Sequence, residues 1–398
     1  MKINFSFALR LLLPITVFLP YRKTNLDSDA SVIRTISIES KASPQSLSNF
    51  FNLEGHTTIT SSAQHEVRGI DDIIISGNKL FILDNSTDFQ NIWAFDISGS
   101  FIGNIGHESE TQEDGFGGLN DFCLSNTGDE IIGLDAGKLS FKHYGLQGGL
   151  NLNLANGVYG ENVEKFNDGS YVVYNEFGAS DVSKYYHLIF FDKSGNLIKR
   201  MFSYPQKLEG MAFDFTGFLS RSSNMLWFCP PFSDTLYSVT KQGVTPEYYF
   251  NFGSSAIPNE FRENKMDGMD ADNFAYLTSS FIKMGNLAVF EYFSGQRVNF
   301  GLFDDRNGAF LGFDDAKRDA FSELLRVGKI FPKDALSYSL VLNSNRIKYL
   351  IQKNKLDFEY FTKHHPKLLA DLNDAASKIE TTFIILHLAV NPDAPSIK

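Results

Sequence analysis

The chain has 398 residues, of which 43% are hydrophobic and 21% are charged, and 38 of them are phenylalanine. This composition excludes an intrinsically disordered chain, because such chains have too few apolar residues to form a core, and the many aromatic residues favour strands over helices. The net charge of −11 argues against a nucleic acid partner, since an acidic surface repels a phosphate backbone.

The N-terminal segment has the pattern of an export signal. The basic residue Lys2 is followed by a short apolar stretch at 11–19. This stretch is too short to cross a membrane, so no transmembrane span is expected. We predict a signal or targeting segment over residues 1–30 and a protein exported to the periplasm or cell surface. The alternative is an N-terminal tail that has no export function.

A pattern of about 48 residues repeats along the chain. In its clearest copies, at 92–106, 188–199 and 300–312, an apolar run ends in an aspartate and a glycine-containing turn, and a second run follows. Five copies share an aromatic or apolar anchor, namely Phe95, Tyr144, Phe191, Val239 and Phe303. Their spacings are 49, 47, 48 and 64 residues, and we assign the longest interval to one unit plus a long loop around 254–272.

Another predicted hairpin precedes the copies. Its turn contains Gly77 and Asn78 in the first unit, and similar turns occur at 126–129 and 167–169. Such turns need an aspartate or asparagine cap and a glycine that accepts positive φ. Four strands in each period of this length are typical of a propeller blade. The sequence therefore predicts an all-β fold, a single six-bladed β-propeller of four-stranded blades over 31–390, with a tail at 391–398.

The end of the chain departs from the repeat. The spacing of its apolar residues predicts a helix over about 365–380, within a helical insertion at about 355–380, and a second short helix over 315–327. An apolar strand is predicted at 382–388. Because a propeller must join its first and last blades, we expect the N-terminal segment 31–38 to complete the last blade beside that strand.

The order of these motifs resembles the six-bladed β-propeller proteins common in Bacteroidetes, which are distant relatives of NHL-repeat propellers. The resemblance covers about 31–390 and is carried by the motifs at 80–84, 92–96, 101–106 and 115–122. It implies no common activity and no catalytic residues. Many members carry a lipoprotein signal with a cysteine shortly after the apolar stretch. The first cysteine here is Cys123, so a lipid anchor is not expected.

Propellers usually bind ligands at one mouth of the central channel, on loops that leave the second strand of a blade or enter its first strand. The candidate ligand-binding residues on these loops are Asp84, Asp135, Asn175, Glu176, Tyr185, Tyr186 and His107. The first three share one repeat position, for which a structural role in the turn is the first interpretation. Carboxylates here could hold Ca²⁺ or cap turns, and the tyrosines could stack on a sugar or peptide or pack between strands.

No catalytic motif supports an enzyme. The sequence lacks GxSxG, a P-loop and GxGxxG before a helix, and His107 is the one histidine on a mouth loop, which argues against a three-histidine metal centre. Cys123 and Cys229 lie in apolar runs, where buried thiols are expected and a disulfide is the alternative. We expect a non-catalytic binding or scaffolding protein of the cell envelope, without a cofactor, whose partner is a glycan, a peptide or an envelope protein. The alternative is a Ca²⁺-dependent hydrolase or lyase, similar to a lactonase, at the channel mouth.

Overall fold

The computed structural model describes residues 33–39, 42–86, 89–109, 113–125, 127–178, 180–210, 218–222, 224–258, 273–332 and 336–398. Within these ranges the strands form six sheets. The innermost strand of each sheet contacts the innermost strands of its two neighbours, so the sheets close into a ring. This arrangement confirms the six-bladed propeller. The predicted signal segment at 1–30 lies outside the described residues.

The first three blades each contain four antiparallel strands in chain order. Two strands precede them, β1 (Arg34–Ser37) and β2 (Phe51–Thr60). Blade 1 comprises β3 (Asp72–Ser76), β4 (Lys79–Ser86), β5 (Phe89–Asp96) and β6 (Phe101–His107). Blade 2 comprises β7 (Leu119–Leu124), β8 (Glu130–Asp135), β9 (Ser140–Gly145) and β10 (Leu150–Ala155). Blade 3 comprises β11 (Asn162–Lys165), β12 (Tyr171–Tyr174), β13 (Tyr186–Phe191) and β14 (Leu197–Ser203).

Blades 4 and 5 continue the pattern. Blade 4 comprises β15 (Phe218–Ser222), β16 (Met225–Cys229), β17 (Thr235–Thr240) and β18 (Gly243–Asn251). Blade 5 comprises β19 (Tyr276–Met284), β20 (Leu287–Ser294), β21 (Arg297–Asp304) and β22 (Ala309–Gly312). All five repeat anchors lie on third strands, and the longest interval contains the connection between β18 and β19. The repeat therefore marks the same strand in each of these blades.

The last blade contains β23 (Lys329–Pro332), β24 (Ser337–Asn343) and β25 (Thr382–Val390), and β2 is its fourth strand. An N-terminal strand closes the ring, as expected, but the choice of segment 31–38 was wrong. β2 pairs with β25 from Phe51 opposite Val390 to Thr60 opposite Thr382. The four residues of β1 are too few for that long edge, and they pair in parallel with β18 as a fifth strand of blade 4.

The helices lie near the C-terminus. α1 (Ser322–Val327) connects β22 to β23, and α2 (Ser344–Gln352), α3 (Phe358–His364) and α4 (Pro366–Ser377) connect β24 to β25. The predicted helix at 365–380 corresponds to α4, and the predicted helix at 315–327 corresponds to the shorter α1. Buried residues of these helices share one core with blades 5 and 6. None of the helices in the described part of the chain has the length and apolar character needed to cross a bilayer.

The strand order gives the ring two different faces. Connections from second to third strands and from each blade to the next lie on one face, which we call the upper face. The helical insertion leaves the second strand of the last blade and therefore belongs to this face as well. The hairpins between first and second strands and between third and fourth strands lie on the opposite face. The upper face is thus the face on which the sequence placed its candidate site.

Candidate functional site

Asp84 is fully buried at the end of β4. Its carboxylate accepts hydrogen bonds from the backbone N–H groups of Arg68 at 2.7 Å and Gly69 at 3.0 Å, and from the hydroxyl of Ser86 at 2.6 Å. These donors belong to the loop that enters β3 and to β4 itself. The aspartate therefore ties the incoming loop to the second strand of the same blade, which is the structural role that its repeat position suggested.

Asp135 does the same in blade 2 and adds a buried cation. Its carboxylate accepts the backbone N–H of Gly117 at 3.1 Å and lies 3.7 Å from the ammonium of Lys142, and both of these charged side chains are fully buried. Lys142 also donates to the carbonyl oxygen of Glu113 at 2.6 Å. Burial lowers the pKa of Lys142, and repulsion from Lys138 lowers it further. This network holds the loop that enters β7.

Asn175 directly follows β12, and its side chain closes the next loop. Its amide oxygen accepts the N–H of Gly178 at 2.7 Å, and its amide nitrogen donates to the carbonyl oxygen of Tyr186 at 3.2 Å. Tyr185 has a positive φ of 66° and packs its ring edge-on, 6.1 Å from the ring of Tyr204. All of these groups belong to a compact aromatic corner of blade 3.

The remaining sequence candidates are half-buried on the same face. Glu176 follows β12, and His107 ends β6. Glu176 acts electrostatically on Tyr159, whose side chain is 39% exposed beside the mouth. Burial raises the pKa of Tyr159, and the carboxylate of Glu161 adds to this effect. The structure therefore groups Glu176 with Tyr159 and Glu161 at the mouth.

The innermost strands carry a set of carboxylates that sequence reasoning missed. Asp72, Asp121 and Glu164 belong to β3, β7 and β11, which are neighbours in the ring. Burial raises the pKa of Asp72 to about 7 and holds the pKa of Asp121 well above its usual range, and repulsion from Asp72 raises the pKa of Asp121 further. Burial also raises the pKa of Glu164. The sequence did contain a signal for this set, because an acidic residue recurs on the first strand of three successive blades.

Cationic side chains lie on the other innermost strands. Arg221 of β15 forms an ion pair of 2.9 Å with Glu164, and this contact partly offsets the effect of burial on Glu164. Lys329 of β23 donates to the carbonyl oxygen of Asp71 at 2.8 Å and lowers the pKa of Asp72 by attraction. The axis is thus polarised, with acidic side chains on blades 1 to 3 and basic side chains on blades 4 and 6.

The part of the chain that the structure describes contains no group of three or more His, Cys, Asp or Glu side chains arranged to hold a metal ion. Several acidic mouth loops of the sequence, including 110–112 and 259–272, lie outside the described residues. Cys123 and Cys229 are buried, as expected from their apolar surroundings, and they are not joined in a disulfide. The candidate binding groups of the described residues are therefore the acidic and basic side chains of the innermost strands.

A family model described as "Domain of unknown function (DUF4934)" matches residues 67–375, which is more than half of the chain and includes strands of all six blades, although β2 and β25 of the last blade lie outside the match. The chain belongs to this family. None of the curated proteins matches the DUF4934 chain in sequence.

Two solved structures share the fold of this DUF4934 protein. A candidate exported protein of Bacteroides fragilis NCTC 9343 aligns with a TM-score of 0.70 and 16% identity, over 90% of this chain and 99% of its own. A member of the DUF4221 family from Bacteroides vulgatus ATCC 8482 aligns with a TM-score of 0.51 and 11% identity, over 86% and 99% of the two chains. These likenesses confirm the expected resemblance to Bacteroidetes propellers. The relation to NHL repeats stays a prediction.

Proposed function

We propose that this DUF4934 protein is an exported, non-catalytic binding protein whose channel receives a positively charged group of a peptide or envelope protein. The observation that carries the proposal is the gathering of Asp72, Asp121 and Glu164 on three neighbouring innermost strands. Export is supported by the apolar N-terminal stretch and by the likeness to a candidate exported protein. The proposal needs no cofactor.

The charge balance supports a cationic ligand. An ion pair with Arg221 compensates Glu164, whereas the described residues include no ion pair to Asp72 or Asp121. The raised pKa values of these two carboxylates mean that burial and repulsion from neighbouring carboxylates disfavour their ionised forms. A ligand cation beside them would stabilise those forms, because an opposite charge close to a carboxylate lowers its pKa. An anionic ligand would be repelled from this half of the channel.

A peptide-binding experiment tests the proposal. The full chain is titrated by calorimetry with a library of short lysine- or arginine-containing peptides and with the same peptides carrying norleucine or citrulline. We expect binding of basic peptides that weakens at least tenfold in the double variant Asp72→Asn/Asp121→Asn and falls with rising salt. Asp181→Asn removes an exposed carboxylate of blade 3 and serves as the matched control. Equal binding of charged and uncharged peptides, or of variant and parent, would contradict the cationic site.

The place of the protein in the cell is tested separately. The full chain is expected in the periplasmic or surface fraction of the cells that produce it, and surface location is distinguished by protease treatment of intact cells. Recovery of the chain in the cytoplasmic fraction alone would overturn the export part of the proposal. It would leave the peptide-binding result unaffected, so the two parts fail independently.

A further inference from the structure

A cleft lies on the outer part of the upper face, away from the axis. It forms between blades 4 and 5 and has a volume of about 280 Å³. This volume is at the small end of ligand sites, which usually have about 300–1,000 Å³. We propose that this cleft is a saccharide-binding site that holds one sugar ring. The inference does not depend on the proposed channel function.

One wall of the cleft is aromatic. The ring of Tyr292 packs against those of Phe252 and Phe310, with a centroid distance of 6.0 Å to each. Phe252 and Phe310 are almost completely buried and fix the position of Tyr292, which is half-buried in the cleft lining. The C–H face of a sugar ring is apolar and packs well on such a surface.

The opposite lining is polar and offers both donors and acceptors. Arg297 forms an ion pair of 2.6 Å with Asp314, and both side chains are exposed enough to contact a ligand. Asp315 and Glu39 add carboxylates. Sugar hydroxyls donate and accept at the same time, so a guanidinium and carboxylates beside one aromatic face match adjacent hydroxyls on a ring.

Tyr292 supplies a polar atom that the fold does not use. Its hydroxyl makes no hydrogen bond to any residue within the described ranges. Burial raises the pKa of Tyr292 to about 12, and Asp315 and Asp314 add to this effect. The hydroxyl therefore stays protonated at ordinary pH and remains able to donate to a sugar oxygen.

The cleft is a particular feature of this junction between blades. Ile38 and Glu39, which follow β1, line it, and β1 is the parallel fifth strand of blade 4. Ile36 of β1 is buried in the core between blades 4 and 5 and anchors this strand. No other sheet in the described part of the chain carries a fifth strand. The N-terminal strand therefore builds a wall that the repeating blades alone do not provide.

The test uses the full chain and the methyl glycosides of glucose, galactose, mannose and N-acetylglucosamine, observed by saturation-transfer difference NMR. We expect at least one glycoside to bind with a millimolar Kd and to receive most saturation at the C–H protons of one ring face. Tyr292→Phe should weaken binding several-fold, and Tyr292→Ala and Asp315→Asn at least tenfold. Thermal melts identify any variant that fails to fold, and Tyr292→Phe keeps the ring, so it remains informative in that case.

Two controls separate this site from the channel. Asp181→Asn, on blade 3, and the channel variant Asp72→Asn are both expected to leave glycoside binding unchanged. If none of the four glycosides binds, or if Tyr292→Ala binds them as well as the parent chain, the inference is wrong. Loss of binding in Asp72→Asn would place the sugar on the axis and would also overturn it.

Discussion

Asp72 should make the stability of the propeller depend on pH. Its pKa is raised to about 7 in the folded protein, mainly by burial, whereas an aspartate in the unfolded chain titrates near its ordinary value of about 3.9. Between these values the unfolded chain has lost the proton that the folded chain retains. Stability therefore falls as the pH rises through this window and is level above it. In Asp72→Asn this contribution is absent.

The size of the change in the free energy of unfolding follows from the shift in the pKa of Asp72. About three pKa units at roughly 1.4 kcal/mol each give an upper limit of about 4 kcal/mol. For the 366 residues from Ile33 to Lys398, an unfolding entropy of roughly 2 cal/mol/K per residue converts this to a shift of about 5 °C in Tm. Lys329, Glu164 and Asp71 also act on the pKa of this carboxylate, and Asp72 in turn raises the pKa of Asp121.

Thermal melts and urea unfolding of both proteins between about pH 4 and pH 8 measure the effect. Asp72→Asn should gain stability relative to the parent chain as the pH rises through the window that separates the two pKa values, and the gain should level off above about pH 7. Asn can still accept the backbone N–H of Ile73, which now bonds to Asp72 at 2.8 Å. A stability difference that stays constant over the whole range would refute the argument that Asp72 titrates near neutral pH.

Three further predictions concern the framework of the ring. Lys142→Ala should lower the free energy of unfolding by about 3–5 kcal/mol, because it leaves the buried carboxylate of Asp135 without its cation. Lys241→Ala removes an exposed ion pair and should lower it by less than about 1 kcal/mol. Equal losses of stability in urea unfolding of the two variants would contradict this prediction. Gly99→Ala should destabilise the protein more than Gly77→Ala in the same assay. Both glycines have a positive φ, but an added Cβ collides with the carbonyl oxygen of Thr58 in the closing strand β2 at Gly99 and with nothing at Gly77. A chain that begins after β2 leaves the edge of β25 open and should form aggregates that size-exclusion chromatography detects, whereas a chain that begins just before β2 should stay monodisperse. Equal behaviour of the two truncations would show that β2 is dispensable.

The repeat was readable because it is local. Phe95, Tyr144 and Phe191 lie at equal intervals, since each occupies the third strand of a four-stranded unit, and turn residues such as Gly77 mark the hairpins between strands. Strand periodicity and turn chemistry act over a few residues, so a single sequence contains them. The same holds for α4, whose apolar positions follow the helical period.

The strand that closes the ring could not be identified from the sequence in this way. Residues 31–38 and β2 are both strand-like, and both lie more than 300 residues along the chain from β25. Which of them pairs with that edge depends on the length of the edge and on the position of the β18 edge that accepts β1. Both conditions exist only after the ring has formed.

The same distinction between local pattern and tertiary packing applies to the candidate site. The sequence by itself determined the blade number, the upper face and the repeated positions of Asp84 and Asp135, because these follow from period and strand order. Only the tertiary structure decided that these two carboxylates are buried against backbone N–H groups, whereas Asp72 and Asp121 meet on the axis. Burial and mutual repulsion depend on distances between strands that are far apart in the chain, and those distances arise from the packing of neighbouring blades around one axis.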